Sequence, residues 1–144
     1  MSELTAAGVQ AALAAFATHD KAVDLSRFFK TGPGEYGEGD LFIGVMVPQS
    51  REVAKHFAGL PEAEIYELAQ SPIHEHRHCA LVILTNRFKR AKTAAARDEI
   101  CDLYMRLLDE GRINNWDLID ITAPYLGSWW FDRTDALARL TDLA

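Results

Sequence analysis

The sequence predicts an all-α domain, and three observations carry that expectation. Apolar residues recur at three- and four-residue spacing along most of the chain, the signature of helices with one buried face. Glycine and proline fall mainly between those stretches. Only one run, Leu41 to Val47, has the β-branching of a strand, and the chain offers no second strand to pair with it. At 144 residues the chain suits one domain, spanning 1–144, and is short for two. Successive helix pairs with short links suggest a curved stack of antiparallel helical hairpins, with a compact bundle as the alternative.

The elements follow in order. Ala-rich sequence from Glu3 to about Thr18, with Leu4, Val9, Ala12 or Leu13, and Phe16 in its apolar pattern, reads as a helix. A second runs from about Lys21 to Lys30 through Val23, Leu25, Phe28 and Phe29. Thr31 to Asp40 is the long irregular segment, rich in glycine. Leu41 to Val47 then reads as an extended connector that plugs apolar side chains into a helical core, since a lone strand has nowhere to bond. Pro48 suits the first turn of the next helix, Pro48 to Phe57. Further helices are expected over Pro61 to Ala69, Ile73 to Arg90, Ala94 to Asp109, Asn115 to about Trp129 and Thr134 to Leu143. Leu81, Leu84 and Phe88 face Ile100, Leu103, Leu107 and Leu108 as the stripes of one antiparallel pair.

Composition narrows the function. With 49% hydrophobic and 25% charged residues the chain is a folded, soluble type. A net charge of −6 argues against nucleic-acid binding over the whole surface, though a local basic patch can sit on an acidic body. Cys79 and Cys101 lie in apolar helical patterns and form no CxxC pair, which points to buried thiols in a reducing compartment. No apolar run approaches the ~20 residues of a membrane span, and Met1-Ser2-Glu3-Leu4 is no signal peptide; a cytoplasmic protein is expected.

Three stretches could carry chemistry. Gly32-Pro33-Gly34-Glu35-Tyr36-Gly37 fits G-x-G-x-x-G, but it follows a helix instead of a strand, and Glu35 would repel phosphate; a surface loop is the better reading. His74-Glu75-His76-Arg77-His78 fits the H-E-x-x-H pattern of zinc hydrolases. Ser71-Pro72 places it in an exposed first turn, and only Asp98 or Glu99 offers a third ligand, so a polar helix start is expected there. The third stretch is Asn114-Asn115-Trp116-Asp117-Leu118-Ile119-Asp120. An asparagine can cap this helix and Asp117 suits its positive end. Trp116 and Asp120, four apart, share one face. Pro124 and Gly127 should shorten and distort the helix. A core tryptophan and an ion-paired aspartate would explain the pair equally well.

Many of these residues together resemble a family. Arg27-Phe28-Phe29-Lys30-Thr31-Gly32, Gly34 to Asp40, Phe42-Ile43-Gly44-Val45, Pro48, Arg51, Ser71 to Glu75, Arg77, Ala80-Leu81, Ile83-Leu84, Ile113 to Asp120, Pro124-Tyr125 and Gly127 look like the DNA alkylation repair family. The resemblance runs in order from about residue 20 to 130. It implies HEAT-like repeats in a right-handed superhelical stack of antiparallel helix pairs, whose concave face grips duplex DNA. It also implies a glycosylase that excises positively charged alkylated purines without flipping the base out, with no metal and no cofactor.

Asp120 and Trp116 inherit the catalytic positions of the family's N-N-W-D-x-x-D motif. Phe28 stands where the family often has an aromatic near DNA, and Arg27, Lys30 and Arg51 are candidate phosphate contacts. Met46 stands where relatives commonly carry a basic residue, which removes one such contact. Family members usually continue with several more helices, so the chain is expected to hold roughly the first two-thirds of a stack whose repeats touch only their neighbours. Its open C-terminal end would then invite a second copy. The rival expectation is a non-catalytic helical-repeat module that binds duplex or branched DNA, or a protein, through the same face.

Overall fold

Two threonines start the first two helices. Thr5 accepts a hydrogen bond from the Gly8 amide at 3.0 Å and opens α1 (Ala6–Ala14), and Thr18 accepts one from the Lys21 amide at 3.3 Å and opens α2 (His19–Phe28). Each hydroxyl serves an amide that the first turn leaves without a helical partner. The first cap shortens the helix expected over 3–18, and the second starts the helix expected over 21–30 two residues earlier. The computed structural model describes residues 3–29, 39–114, 116–127 and 129, with the backbone alone for Trp116, Asp117 and Gly127. The Gly32–Gly37 loop, Lys30 and the helix expected over 134–143 lie outside the described residues.

Residues 41–46 are extended, as expected, and they solve the hydrogen-bonding problem of a lone strand in two ways. Leu41 forms one parallel bridge with Ile73, through Leu41 N to Pro72 O at 3.3 Å and His74 N to Leu41 O at 2.8 Å. Beyond that bridge, the Glu75 carboxylate accepts from the amides of Ile43, Gly44 and Val45 at 2.8 to 3.2 Å. A buried carboxylate stands where a neighbouring strand would be. Gly44, at φ +88°, is required here: a Cβ would lie 2.0 Å from the Thr18 carbonyl oxygen.

This arrangement corrects the expectation of an exposed helix start at His74–His78. The five side chains are only 3 to 6% exposed, because the extended segment and Asp40 lie across that turn.

The remaining helices are α3 (Val47–His56), α4 (Glu62–Ala69), α5 (His74–Arg90), α6 (Ala94–Asp109) and α7 (Trp116–Thr122), making seven among the described residues, with no strand. The Gln49 side chain accepts from the Met46 amide at 2.9 Å at the start of α3, and Thr93 caps α6 through Ala96 N at 3.1 Å. α5 is the hub: α1, α3, α4, α6 and α7 all pack against it. That explains an apolar middle that is buried on every side from Cys79 to Leu84. Leu81, Leu84, Phe88, Ile100 and Leu107 are buried as the facing stripes predict, with Leu103 and Leu108 partly buried beside them. Cys79 and Cys101 are buried free thiols, also as expected. No helix among the described residues is long and apolar enough to cross a membrane.

Candidate active site

The helix that carries the candidate catalytic residues is held on one side and open on the other. Leu118 and Thr122, four apart, are fully buried. The Thr122 hydroxyl lies 2.9 Å from the Leu118 carbonyl oxygen and 2.8 Å from the Tyr104 hydroxyl of α6. Asp120 sits midway between the two buried positions, which on a 3.6-residue helix turns it to the opposite side, and it is exposed. Trp116 is the first residue of the same helix, one turn earlier.

After Thr122 the α-helix gives way to a π-helical turn, Ala123–Gly127. Pro124 has no amide hydrogen to give the carbonyl four residues back, so a regular α-turn cannot continue there. The expected shortening and distortion is therefore present. The turn is held from α6, where Cys101 Sγ donates to the Leu126 carbonyl at 3.3 Å. It brings Pro124 and Tyr125 round to the open side of α7.

That open side forms a polar cleft of about 280 Å³. Asp120 and Ile121 line it from α7, Tyr125 from the π-turn, Arg51 from α3, and Thr85, Asn86 and Lys89 from α5. The Lys89 ammonium lies over the Tyr125 ring, 4.2 Å from its centre, a cation–π contact. One cleft is thus lined by a carboxylate and by two cations from different helices.

Arg51 and Asp120 line this one cleft, Phe28 and Arg27 stand elsewhere, Lys30 lies outside the described residues, and Trp116 is described by its backbone alone. Phe28 is 71% exposed at the rim of a separate apolar cavity of about 310 Å³, formed with Leu25, Phe42 and Met46. Its ring meets Phe29 edge-on at 5.0 Å, and Phe29 stacks on Phe42 and His74. Arg27 lines a shallow depression with His19 and Ser26. Sequence reasoning missed Asn86, Lys89 and Tyr125. The signal was there on α5: Val82, Thr85, Asn86 and Lys89 follow i, i+3, i+4, i+7, a partly polar stripe on a helix otherwise apolar in its middle.

The H-E-x-x-H residues are engaged inside the fold. His74 Nδ1 lies 3.3 Å from Asp40 Oδ2, His78 Nδ1 lies 2.8 Å from the Ser50 hydroxyl, and Glu75 holds the extended segment. Asp98, the available third ligand, accepts from Trp129 Nε1 at 2.9 Å. Among the described residues no three His, Cys, Asp or Glu side chains are grouped to hold a metal ion.

Asp40 joins three side chains of this region. Arg77 Nη2 donates to its Oδ1 at 2.7 Å and Asn114 Nδ2 to the same oxygen at 3.2 Å. Burial opposes its ionisation, but the His74 contact, the Arg77 charge and the hydrogen bonds of Arg77 and Asn114 outweigh burial and lower its pKa from 3.8 to about 2.

The family model for DNA alkylation repair enzymes matches residues 9–144, nearly the whole chain. The chain belongs to the DNA alkylation repair enzyme family. A search of curated proteins returns no match, and neither does a search of solved structures.

Proposed function

We propose that this DNA alkylation repair enzyme hydrolyses the N-glycosidic bond of positively charged alkylated purines in duplex DNA. The observation that carries the reading is Asp120, an exposed carboxylate on a helix fixed by its opposite face, in a cleft that Arg51 and Lys89 also line. Such a base is already a good leaving group. When the C1′–N bond breaks, its electron pair goes to the base nitrogen and cancels the positive charge there, so no acid is needed. The cost falls on the sugar, which becomes an oxocarbenium ion.

A fixed carboxylate lowers that cost by opposing the developing charge. Asp120 also orients the water whose oxygen bonds to C1′ and whose proton is then released. Trp116, one turn away on the same side of α7, lays its electron-rich face against the sugar. Arg51 and Lys89 take the phosphates on either side. Arg27, Phe28 and Lys30 contact DNA further along a concave face formed by helix pairs continuing as a right-handed HEAT-like superhelix. A shallow cleft reached from the groove side suits a base left in the stack, in contrast to enzymes that must extrude it.

Release of 7-methylguanine from a duplex, followed under single-turnover conditions, tests the reading. Asp120→Asn should slow release by about 10²- to 10³-fold, the usual cost of losing one electrostatic stabiliser. Release at the unaltered rate would remove Asp120 from the mechanism. Net charge of −6 favours one rival, a non-catalytic module that binds DNA weakly or binds protein instead. Duplex binding without base release would establish that rival.

A further inference from the structure

Five residues of the recognisable motifs, Asp40, His74, Glu75, Arg77 and Asn114, take no part in the chemistry proposed above. The structure puts four of them in one network. Arg77, buried at the start of α5, donates from Nη2 both to Asp40 Oδ1 at 2.7 Å and to Asn114 Oδ1 at 3.1 Å. The Asn114 amide closes the ring by donating to the same Asp40 oxygen at 3.2 Å. His74 lies against the other Asp40 oxygen at 3.3 Å. Asn114 precedes α7 by two residues.

We propose that Asp40, Arg77 and Asn114 are a positioning clamp that sets where α7 begins, and so where the Asp120 carboxylate stands in the cleft; the inference rests on Asp120 being the catalytic carboxylate. A helix of seven residues is too short to hold its own place, so its register follows from anchors at its two ends. Thr122 and the π-turn anchor the far end. At the near end the anchor is polar and directional. Asn114 uses its oxygen toward Arg77 and its nitrogen toward Asp40, so its amide fits in one orientation only.

The chemistry of the clamp argues for geometry over stability. A buried ion pair gains little over apolar packing of the same volume, because both charges must leave water. Arg77 also leaves its Nε buried without a partner among the described residues, a further cost. What such a network does supply is one fixed arrangement. Displacement of a reacting group by about 1 Å can cost about 100-fold in rate.

The test uses the full chain and a duplex carrying 7-methylguanine. Asn114 is exposed, so Asn114→Ala should fold, as checked by its circular dichroism and melting temperature; Asn114→Ser is the second choice if it does not. Single-turnover release should fall by about ten-fold while duplex affinity is unchanged. Asn114→Asp should be worse than Asn114→Ala, because it turns a second carboxylate toward Asp40. The deciding measurement is a double-mutant cycle. If the clamp acts through Asp120, adding Asn114→Ala to Asp120→Asn should cost nothing further. Release by Asn114→Ala at the unaltered rate, or an equal loss in both backgrounds, would overturn the clamp and leave the role of Asp120 standing. A duplex processed normally by Asp120→Asn, or not processed by the unaltered chain, would overturn the functional reading and the clamp with it.

Discussion

Asp40 and Lys89 show how much a single residue's role depends on its neighbours. In the sequence Asp40 ends a glycine-rich stretch; in the fold it is 7% exposed, between Arg77, His74 and Asn114. Its lowered pKa has a consequence for stability. A carboxylate whose pKa falls from 3.8 to about 2 on folding adds stability above about pH 4, which is lost as pH falls through about 2. The increment is about 2 kcal/mol at one pKa unit per about 1.4 kcal/mol. Urea denaturation at a series of pH values should show the stability gap between the unaltered chain and Asp40→Asn narrowing over that window, and a constant gap would contradict the assignment.

Lys89 presents the opposite case, a residue of no evident interest in the sequence that stands in the cleft over Tyr125. As a phosphate contact it should contribute to the salt dependence of duplex binding. Lys89→Ala is expected to reduce the slope of log affinity against log salt by about 1. Arg106→Ala, at an exposed position on α6 that packs on Tyr66 and Glu110 and does not line the cleft, is the control. Equal slopes for Lys89→Ala and the unaltered chain would take Lys89 out of the interface.

At the scale of elements, most helices were legible because periodicity is local. α4, α5 and α6 begin and end within a residue of where apolar spacing, proline and glycine place them. The starts of α1 and α2 were harder, since a capping threonine is hard to tell from a helical one until its hydroxyl is seen to accept a hydrogen bond. The beginning of α5 was misjudged for a different reason. Ser71-Pro72 and a run of polar side chains do describe a solvated first turn, and nothing local reveals that residues 40–45 come to lie on top of it.

Glu75 is the element-scale consequence of that packing. Its carboxylate replaces a strand partner for Ile43, Gly44 and Val45. Glu75→Gln keeps the shape but turns an amide donor toward amide donors. It should destabilise the fold by about 1.5–3 kcal/mol, the range for a hydrogen bond to a charged group, read as a lower urea midpoint with an unchanged slope. An unchanged midpoint would mean that the segment is held by its apolar side chains alone.

At the scale of the whole molecule, a net charge of −6 contrasts with the two cations, Arg51 and Lys89, that reach one cleft from two helices. The family was legible from motifs scattered between Arg27 and Gly127. The sequence by itself determined the all-α class, the order of the helices, the buried thiols and the residues most worth testing, because each depends on spacing along the chain or on motif. Only the tertiary structure decided that Asp120 meets Arg51 and Lys89 in one cleft, and that Arg27 and Phe28 stand apart from it. It alone showed that the motif histidines face inward and that Asp40 reaches Asn114 across 74 residues of chain. Those outcomes depend on how helices distant in sequence pack around α5, and no local pattern encodes them.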